Sequence, residues 1–235
     1  MPQPEMYPEC MNIQITPKGF GTERAHDALQ ALFPDKVIER FDRDEITTFT
    51  KLEETLNQFH AKKIDILVGT QMLSKGHNFE NVNLVIILGI DSQLNFPDFR
   101  SNERVYQTLT QVSGRAGRFG KKAAVLVHTL APENKIFSYL KNHSFDDFYK
   151  DEIPLREMCS SPPLKKLILI YFNGKDQGQV IKESSEQAQR LRDTAETHFS
   201  KVDILGPRPS MIEKKVNKFT WSLMIRSEDV NQLHN

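Results

Sequence analysis

Apolar residues are spaced in two ways along the first two thirds of this 235-residue chain. Apolar positions three and four residues apart predict amphipathic helices over 23–33, capped by Thr22, and over 49–60. Continuous apolar, β-branched runs predict buried parallel strands over 64–70, 82–91 and 123–129, with a shorter strand in 37–44. Helices that alternate with such strands predict an α/β fold whose parallel sheet is covered on both faces.

The last third of the chain has a different pattern. Helical spacing over 132–158 ends before the break at Pro162 and Pro163. Beyond it the sequence predicts a strand over 164–172, one long helix over 176–199, and strands over 202–206 and 218–226. This β-α-β-β order is typical of a small α+β domain with its helix on one sheet face. We therefore expect a lead-in over 1–18 and domains over 19–158 and 159–235.

Composition narrows the class of protein. A hydrophobic content of 38% is enough for a sizeable core, and no apolar run is long enough to predict a membrane span. Two cysteines make no disulfide framework, which favours a reducing, cytoplasmic compartment. Residues 161–226 hold 12 Lys/Arg against 7 Asp/Glu, which fits either a polyanionic partner or an ordinary solvated face.

The segment GTQMLSKGHNF follows the predicted strand over 64–70. Ligand sites in open parallel sheets lie beyond the carboxyl ends of strands. Exposed amides and a hydroxyl at Gly69 and Thr70, with Lys75 and His77 nearby, suit a phosphate of a nucleotide or of a nucleic-acid backbone. An ordinary strand-to-helix turn explains the same residues equally well.

The segment QVSGRAGRFG places Arg115 and Arg118 three residues apart, each after a glycine, with Gln111 just before them. Guanidinium groups match phosphate oxygens, and the glycines allow a close approach to another surface. Two cations on one helix face repel each other unless an anion lies between them. The alternative is a pair of solvated arginines at a helix end.

These two segments resemble a known family. QVSGRAGR is similar to motif VI of superfamily 2 helicases, and GTQMLSKGHNF followed by VNLVIILGID is similar to motif V of the PriA (primosomal protein N′) replication-restart helicases. The order of GFGTE, RFDRD, DFRSNER, the double proline and GPRPSMIEKKVNKFTW also fits that family. The resemblance covers about residues 7–226.

The resemblance implies an ATP-dependent 3′→5′ DNA helicase of the primosome, acting in replication restart. Residues 19–158 would form its second RecA-like lobe, and 159–235 a truncated C-terminal DNA-binding domain. Arg118 matches the arginine finger and Arg115 a second γ-phosphate contact. Gln111 and Gly114 would also bind ATP, and Gln111 would sense nucleotide state. Four further residues would couple the nucleotide state to DNA: Thr70, Gln71, Lys75 and His77.

Two expected features are incomplete in the sequence. It contains no GxxxxGK[ST] loop and no DExH box, so ATP with Mg²⁺ would bind only together with a first lobe, and this chain alone should not hydrolyse ATP. Residues 1–18 resemble a remnant of the family's zinc-binding insertion. Cys10 remains there and Tyr7 replaces its partner, so this single thiolate is not expected to hold zinc. Cys159 is interpreted as a core or boundary thiol.

Basic residues recur near the end of the chain at Lys165, Lys166, Lys214, Lys215 and Lys218, with Phe219 and Trp221 interleaved. Such cations suit branched or single-stranded DNA, whereas at least one of the two aromatic residues is expected in the core. The resemblance adds the tail of single-stranded DNA-binding protein and other primosome proteins as partners, with Lys218 near the tail pocket, and a nucleoid-associated bacterial location.

Three hypotheses result. The first is the C-terminal part of a replication-restart helicase. The second is a non-catalytic module, derived from the helicase, that binds DNA forks or the primosome. The third, a lobe of another superfamily 2 helicase such as a RecG-like one, explains QVSGRAGR but not KGHNF or the late GPRPS segment.

Overall fold

A computed structural model describes residues 21–42, 45–46, 48–70, 82–114, 123–199, 201–215 and 217–234. The chain divides between Ser144 and Phe145 into two compact units. The helix over 145–158 therefore belongs to the second unit. The predicted boundary between the helicase lobe and the DNA-binding domain, at 158/159, stays a prediction. No helix in the described part is long and apolar enough to cross a membrane.

The first unit alternates helices and short strands, as predicted. Its elements are α1 (Thr22–Leu32), β1 (Ile38–Phe41), α2 (Phe49–His60), β2 (Ile66–Gly69), β3 (Leu84–Ile87), α3 (Asp91–Leu94), α4 (Ser101–Ser113), β4 (Ala124–Val127) and α5 (Lys135–Lys141).

The strands of the first unit pair in parallel, as the sequence predicts. Strand β1 pairs with β2, and β3 pairs with β4. Within the described residues these are two separate two-stranded sheets. One continuous sheet stays a prediction.

The predicted complete burial of the strands is wrong: the residues of β2 are half-buried, and those of β3 and β4 alternate between exposed and half-buried. Leu84, Ile86 and Leu126 are 48%, 54% and 54% exposed, whereas the residues between them are half-buried. Exposure therefore alternates along both strands, because the described residues cover one face of this pair and leave the other open.

Helix α2 carries the core of the first unit. Leu52 and Leu56 pack with Phe41, Ile46 and Leu67, which confirms the predicted apolar face of this helix. The Thr48 hydroxyl caps the helix by accepting from the Lys51 amide.

The predicted cap of α1 is wrong. Gly21 occupies the N-cap position, and Thr22 is the first helical residue. The Thr22 hydroxyl instead donates to Asp42, which lies beyond the end of β1.

The second unit contains the predicted β-α-β-β order. Its elements are α6 (Phe145–Met158), β5 (Lys166–Gly174), α7 (Gln177–His198), β6 (Val202–Lys215), β7 (Lys218–Ser227) and α8 (Asn231–His234). The antiparallel sheet has the order β5-β7-β6, and α7 packs against all three strands. Trp221 and Leu223 are buried in this sheet, at 6% and 0% exposed. The core prediction is therefore confirmed for Trp221.

Candidate functional site

Polar residues follow the carboxyl ends of β1 and β2. Phe41, the last residue of β1, lies opposite Gly69, the last residue of β2. Asp42 and Thr70 therefore follow side by side at the carboxyl ends of these parallel strands. Thr70 is exposed. Thr70 therefore lies just beyond the carboxyl end of β2, and its contact with a phosphate stays a prediction. Its predicted companions, Gln71, Lys75 and His77, lie outside the described residues.

Asp42 is the centre of a buried polar network at the carboxyl end of β1. It is 4% exposed and accepts from the Thr22 hydroxyl at 2.5 Å, from Arg40 Nη2 at 3.0 Å and from the Glu45 amide at 3.1 Å. The Thr22 hydrogen bond, followed by Arg40, lowers the pKa of Asp42 to about 2. Asp42 is thus an anion at neutral pH that holds the start of α1 against the end of β1.

A second carboxylate joins the ends of β3 and β4. Asp91 Oδ1 accepts from the Thr129 hydroxyl at 2.7 Å and from the Leu130 amide at 3.1 Å. The Thr129 hydrogen bond is the main reason that the pKa of Asp91 is lowered. Sequence reasoning missed this pair, although an aspartate at the end of the apolar run over 82–91 was a signal that could have found it.

A third carboxylate organises the start of α4. Asp98 Oδ1 accepts from Arg100 Nε at 3.0 Å, while Oδ2 accepts from Arg100 Nη2 at 2.9 Å and lies 3.2 Å from Arg104 Nη1. The Arg100 hydrogen bond is the main cause that lowers the pKa of Asp98. One carboxylate therefore orients two arginines whose side chains are each 47% exposed.

This arrangement gives a structural role to Glu103 and Arg104, the last two residues of the DFRSNER segment. Arg104 binds back to Asp98, and Glu103 Oε1 accepts from Gln107 Nε2 at 3.1 Å on the next turn. Both residues thus hold the first turns of α4 in place, which is a structural role.

Helix α4 leads directly to the two predicted arginines. Val105 and Leu109 are 0% and 2% exposed and anchor the helix, whereas Gln111 is exposed near its end. Gly114 is the C-cap, where a Cβ atom would lie 3.2 Å from the Thr110 carbonyl oxygen. Arg115 and Arg118 follow at once in the sequence, but lie outside the described residues.

In the second unit, three of the predicted lysines occupy strand positions next to the turn of the β6–β7 hairpin. Lys215 lies opposite Lys218, and Lys214 lies opposite Phe219. Asn217 turns the chain with φ 58°, a left-handed conformation that asparagine tolerates. The backbone register thus puts three lysine positions at one end of the sheet.

The other two predicted lysines lie elsewhere. Lys166 pairs with Ser227, at the opposite end of the sheet from the hairpin tip. Lys165 Nζ lies 3.4 Å from Asp203 Oδ2 and 3.9 Å from Glu228 Oε1. A single surface with all five lysines is therefore excluded by the strand register.

Comparison with known proteins decides between the candidate families. The family model for the helicase conserved C-terminal domain matches residues 13–120, and the model for the primosomal protein N C-terminal domain matches residues 157–235. Replication restart protein PriA of Synechocystis is 38% identical over 95% of this chain, and that of Bacillus subtilis is 35% identical over 99%. The PriA protein of Rickettsia conorii is 34% identical over 93%.

The chain belongs to the PriA family.

It corresponds to the C-terminal part of PriA, and it covers 27%, 28% and 33% of the length of these three relatives. The resemblance inferred from QVSGRAGR and GTQMLSKGHNF is thus confirmed. The hypothesis of a RecG-like lobe does not account for the match over 157–235.

The individual roles that the PriA resemblance assigns stay predictions. Four of the residues concerned lie within the described part of the chain: Gln111, Gly114, Thr70 and Lys218. Cys10 lies outside the described residues, and the described part holds no group of three His, Cys, Asp or Glu side chains able to bind a metal ion. Cys159 is exposed, so the core alternative for this thiol is wrong and the boundary alternative stays a prediction.

Proposed function

We propose that this chain is the C-terminal part of an ATP-dependent 3′→5′ DNA helicase that reloads the replisome at stalled forks. Residues 19–158 would form its second RecA-like lobe and residues 159–235 its DNA-binding domain. The observation that carries the proposal is the pair of family matches, which join a helicase C-terminal domain to a primosomal one in a single chain. Parallel strand pairs with polar residues at their carboxyl ends support the lobe assignment.

In this proposal the arginines complete an ATP site shared with a first lobe. Arg118 would stabilise negative charge on the transferring phosphoryl group, and Arg115 would contact the γ-phosphate. Gln111, exposed at the end of the anchored helix α4, would report nucleotide state to the lobe. The magnesium–ATP complex supplies the phosphoryl group, and the chain alone is proposed to be inactive because its sequence lacks the GxxxxGK[ST] loop.

DNA would be bound at two places. Thr70, at the carboxyl end of β2, would couple the nucleotide-dependent state to a DNA phosphate, together with Gln71, Lys75 and His77. The lysines at the hairpin tip would bind the backbone of branched or single-stranded DNA. The family resemblance further supports single-stranded DNA-binding protein and primosome proteins as partners, in the bacterial cytoplasm at the nucleoid.

The deciding experiment measures DNA-stimulated ATP hydrolysis by this chain alone, and after mixing with a separately produced first lobe of a PriA relative. We expect activity only in the mixture. Arg118→Ala should reduce the rate by about 10³ or more, because the finger acts on the transition state. Arg190→Ala, an exposed arginine on α7, is the matched control and should leave the rate unchanged.

Two results would contradict the proposal. If Arg118→Ala hydrolyses ATP as fast as the unmodified mixture, then Arg118 is not a finger. If the mixture is inactive but the chain still binds fork DNA, then the alternative, a non-catalytic fork-binding or primosome-binding module, would replace the helicase.

A further inference from the structure

The two strands of the β6–β7 hairpin have unequal lengths between matching positions. Strand β7 keeps an unbroken register with β5 along all nine residues of β5. Strand β6 takes nine steps from Leu205 to Lys214, whereas β7 takes only five between their register partners, Met224 and Phe219. Pairing with β7 therefore does not determine the path of residues 206–214, here called the β6 arm, because its extra residues have no partner in the ladder.

Two prolines reduce the backbone pairing of the β6 arm further. Pro207 and Pro209 have no amide hydrogen to donate to β7. In its middle, among the described residues, the arm keeps two register pairs, Arg208 with Ser222 and Pro209 with Trp221. A contact from outside the sheet should therefore have a large influence on where the arm lies.

A side chain from helix α7 provides such a contact at the base of the arm. Arg192 Nη2 donates to the carbonyl oxygen of Gly206, which has no register partner in β7 among the described residues. The backbone passes close to β7 here, since a Cβ atom added to Gly206 would lie 3.0 Å from the Ser222 carbonyl oxygen. Val180 and Ala188, 2% and 0% exposed, anchor α7, which packs against the sheet. A charged hydrogen bond, stronger than a neutral one, thus joins an anchored helix to the arm.

We propose that Arg192 is a positioning residue that aligns the hairpin lysines for DNA, an inference that rests on the DNA binding proposed above. By holding the base of the β6 arm, it determines where Lys214 and Lys215 lie relative to Lys218. Lys218 is the first residue of β7 and directly precedes the stretch that pairs with β5, whereas the other two lysines follow the arm. Cations held in place lose less conformational entropy on binding a phosphate chain than mobile ones. Arg192 therefore raises the affinity for DNA without contacting it.

Trp221 reports on the β6 arm in the absence of DNA. It is the single tryptophan of the chain, is 6% exposed and lies opposite Pro209 of the arm. We expect Arg192→Ala to increase the quenching of its fluorescence by acrylamide, because the arm is no longer held over it. Arg192→Gln, which is neutral but can still donate to a carbonyl oxygen, should retain more of the original protection. Arg190→Ala, an exposed arginine on the same helix, is the matched control and should leave the quenching unchanged.

Binding of a labelled single-stranded oligonucleotide at several salt concentrations tests the consequence for DNA. Arg192→Ala should weaken binding about tenfold, because one charged hydrogen bond no longer orders the arm. The slope of log K against log salt should not change, since all three hairpin lysines can still neutralise phosphates. If Arg192 itself contacted a phosphate, the alanine and glutamine variants would both reduce the slope by about 0.7. Circular dichroism of each variant checks that the fold is retained.

Three outcomes would overturn the proposal. They are unchanged quenching of Trp221 in Arg192→Ala, increased quenching with unchanged affinity for DNA, and a reduced salt slope in both Arg192 variants. Equal effects of Arg190→Ala and Arg192→Ala would also count against it. If the unmodified protein does not bind DNA, the proposed function of the hairpin fails, and the quenching comparison still decides whether Arg192 holds the β6 arm.

Discussion

Thr22 and Asp42 are twenty positions apart in the sequence, and the hydroxyl of the first lies 2.5 Å from the carboxylate of the second. This hydrogen bond, together with Arg40, fastens the first turn of α1 to the end of β1. Both residues belong to segments through which the sequence resembles its family, GFGTE and RFDRD. Their shared role in the structure is to hold the two segments together.

Asp42 should make the stability of the first unit depend on pH. Its pKa falls from 3.8 to about 2 on folding, so its contribution is fully present above about pH 4 and disappears as the pH falls toward about 2. The size of this contribution is about 2 kcal/mol. Urea unfolding followed by circular dichroism should show a decrease of unfolding free energy in this window that is absent from Asp42→Asn.

Two substitutions at Thr22 test whether its hydrogen bond to Asp42 is the cause of this pH dependence. Thr22→Val removes the hydroxyl that contributes most to the lowered pKa of Asp42, and should narrow the pH window. Thr22→Ser retains the hydroxyl and should preserve the window. Identical profiles for the valine and serine variants would show that the hydrogen bond does not control the titration.

The buried ion pair of α6 should be sensitive to removal of its carboxylate. Arg156 Nε lies 2.8 Å from Glu152 Oε1, and the two side chains are 8% and 11% exposed. Glu152→Ala takes this carboxylate away from a buried guanidinium group and should lower the unfolding free energy by about 3 kcal/mol. Chemical denaturation measures the change.

The matched control is an exposed pair with the same helical spacing. Lys182 and Glu186 on α7 lie 4.0 Å apart and are 76% and 54% exposed. Glu186→Ala should change the unfolding free energy by at most about 0.5 kcal/mol. Equal effects at Glu152 and Glu186 would mean that burial does not set the strength of these pairs.

Gly206 should not tolerate a side chain. Its φ is +102°, and an added Cβ atom would lie 3.0 Å from the Ser222 carbonyl oxygen. Gly206→Ala should therefore lower stability by about 1–2 kcal/mol or more, seen as a lower melting temperature. Gly21→Ala is the comparison, since nothing lies within 4 Å of its added Cβ atom, and it should cost about 0.5 kcal/mol. A larger effect at Gly21 would contradict this explanation.

The hairpin lysines should determine the salt dependence of DNA binding. Replacing Lys214, Lys215 and Lys218 together by alanine should weaken binding to single-stranded DNA. It should also reduce the slope of log K against log salt by about 0.7 for each DNA phosphate that a lysine no longer neutralises. Fluorescence anisotropy of a labelled oligonucleotide at several salt concentrations measures both quantities.

Lys165→Ala provides the contrast for that experiment. Its ammonium group already lies near Asp203 and Glu228, at the other end of the sheet. The slope should therefore remain that of the original protein. If Lys165→Ala reduces the slope as much as the triple hairpin variant does, then DNA does not bind preferentially at the hairpin tip.

Local patterns predicted the helices and parallel strands well, because each depends on spacing within a few residues. Helix α2 and its apolar face, Leu52 and Leu56, follow from periodicity alone. The cap of α1 could not be found in this way. The competing partner of Thr22 is Asp42, and only the tertiary structure brings the two together.

Strand pairing accounts for other differences between the predictions and the structure. The sequence predicts that a strand ends at Gly206, where GPRP interrupts the apolar pattern. In the structure, pairing with β7 continues through this irregular region, and β6 ends at Lys215. The five lysines looked like one group in the sequence. Pairing with β7 sends Lys166 to one end of the sheet and Lys218 to the other.

The connection from α6 to β5 is held at two points by arginines from different elements. Arg156 donates to the Pro162 carbonyl at 3.0 Å, and Arg226 of β7 donates to the Cys159 carbonyl at 3.1 Å. A protease must draw several residues of backbone into its cleft before it can cut. These two arginines oppose that extension, so the connection should resist proteolytic nicking even though the cysteine within it is open to solvent.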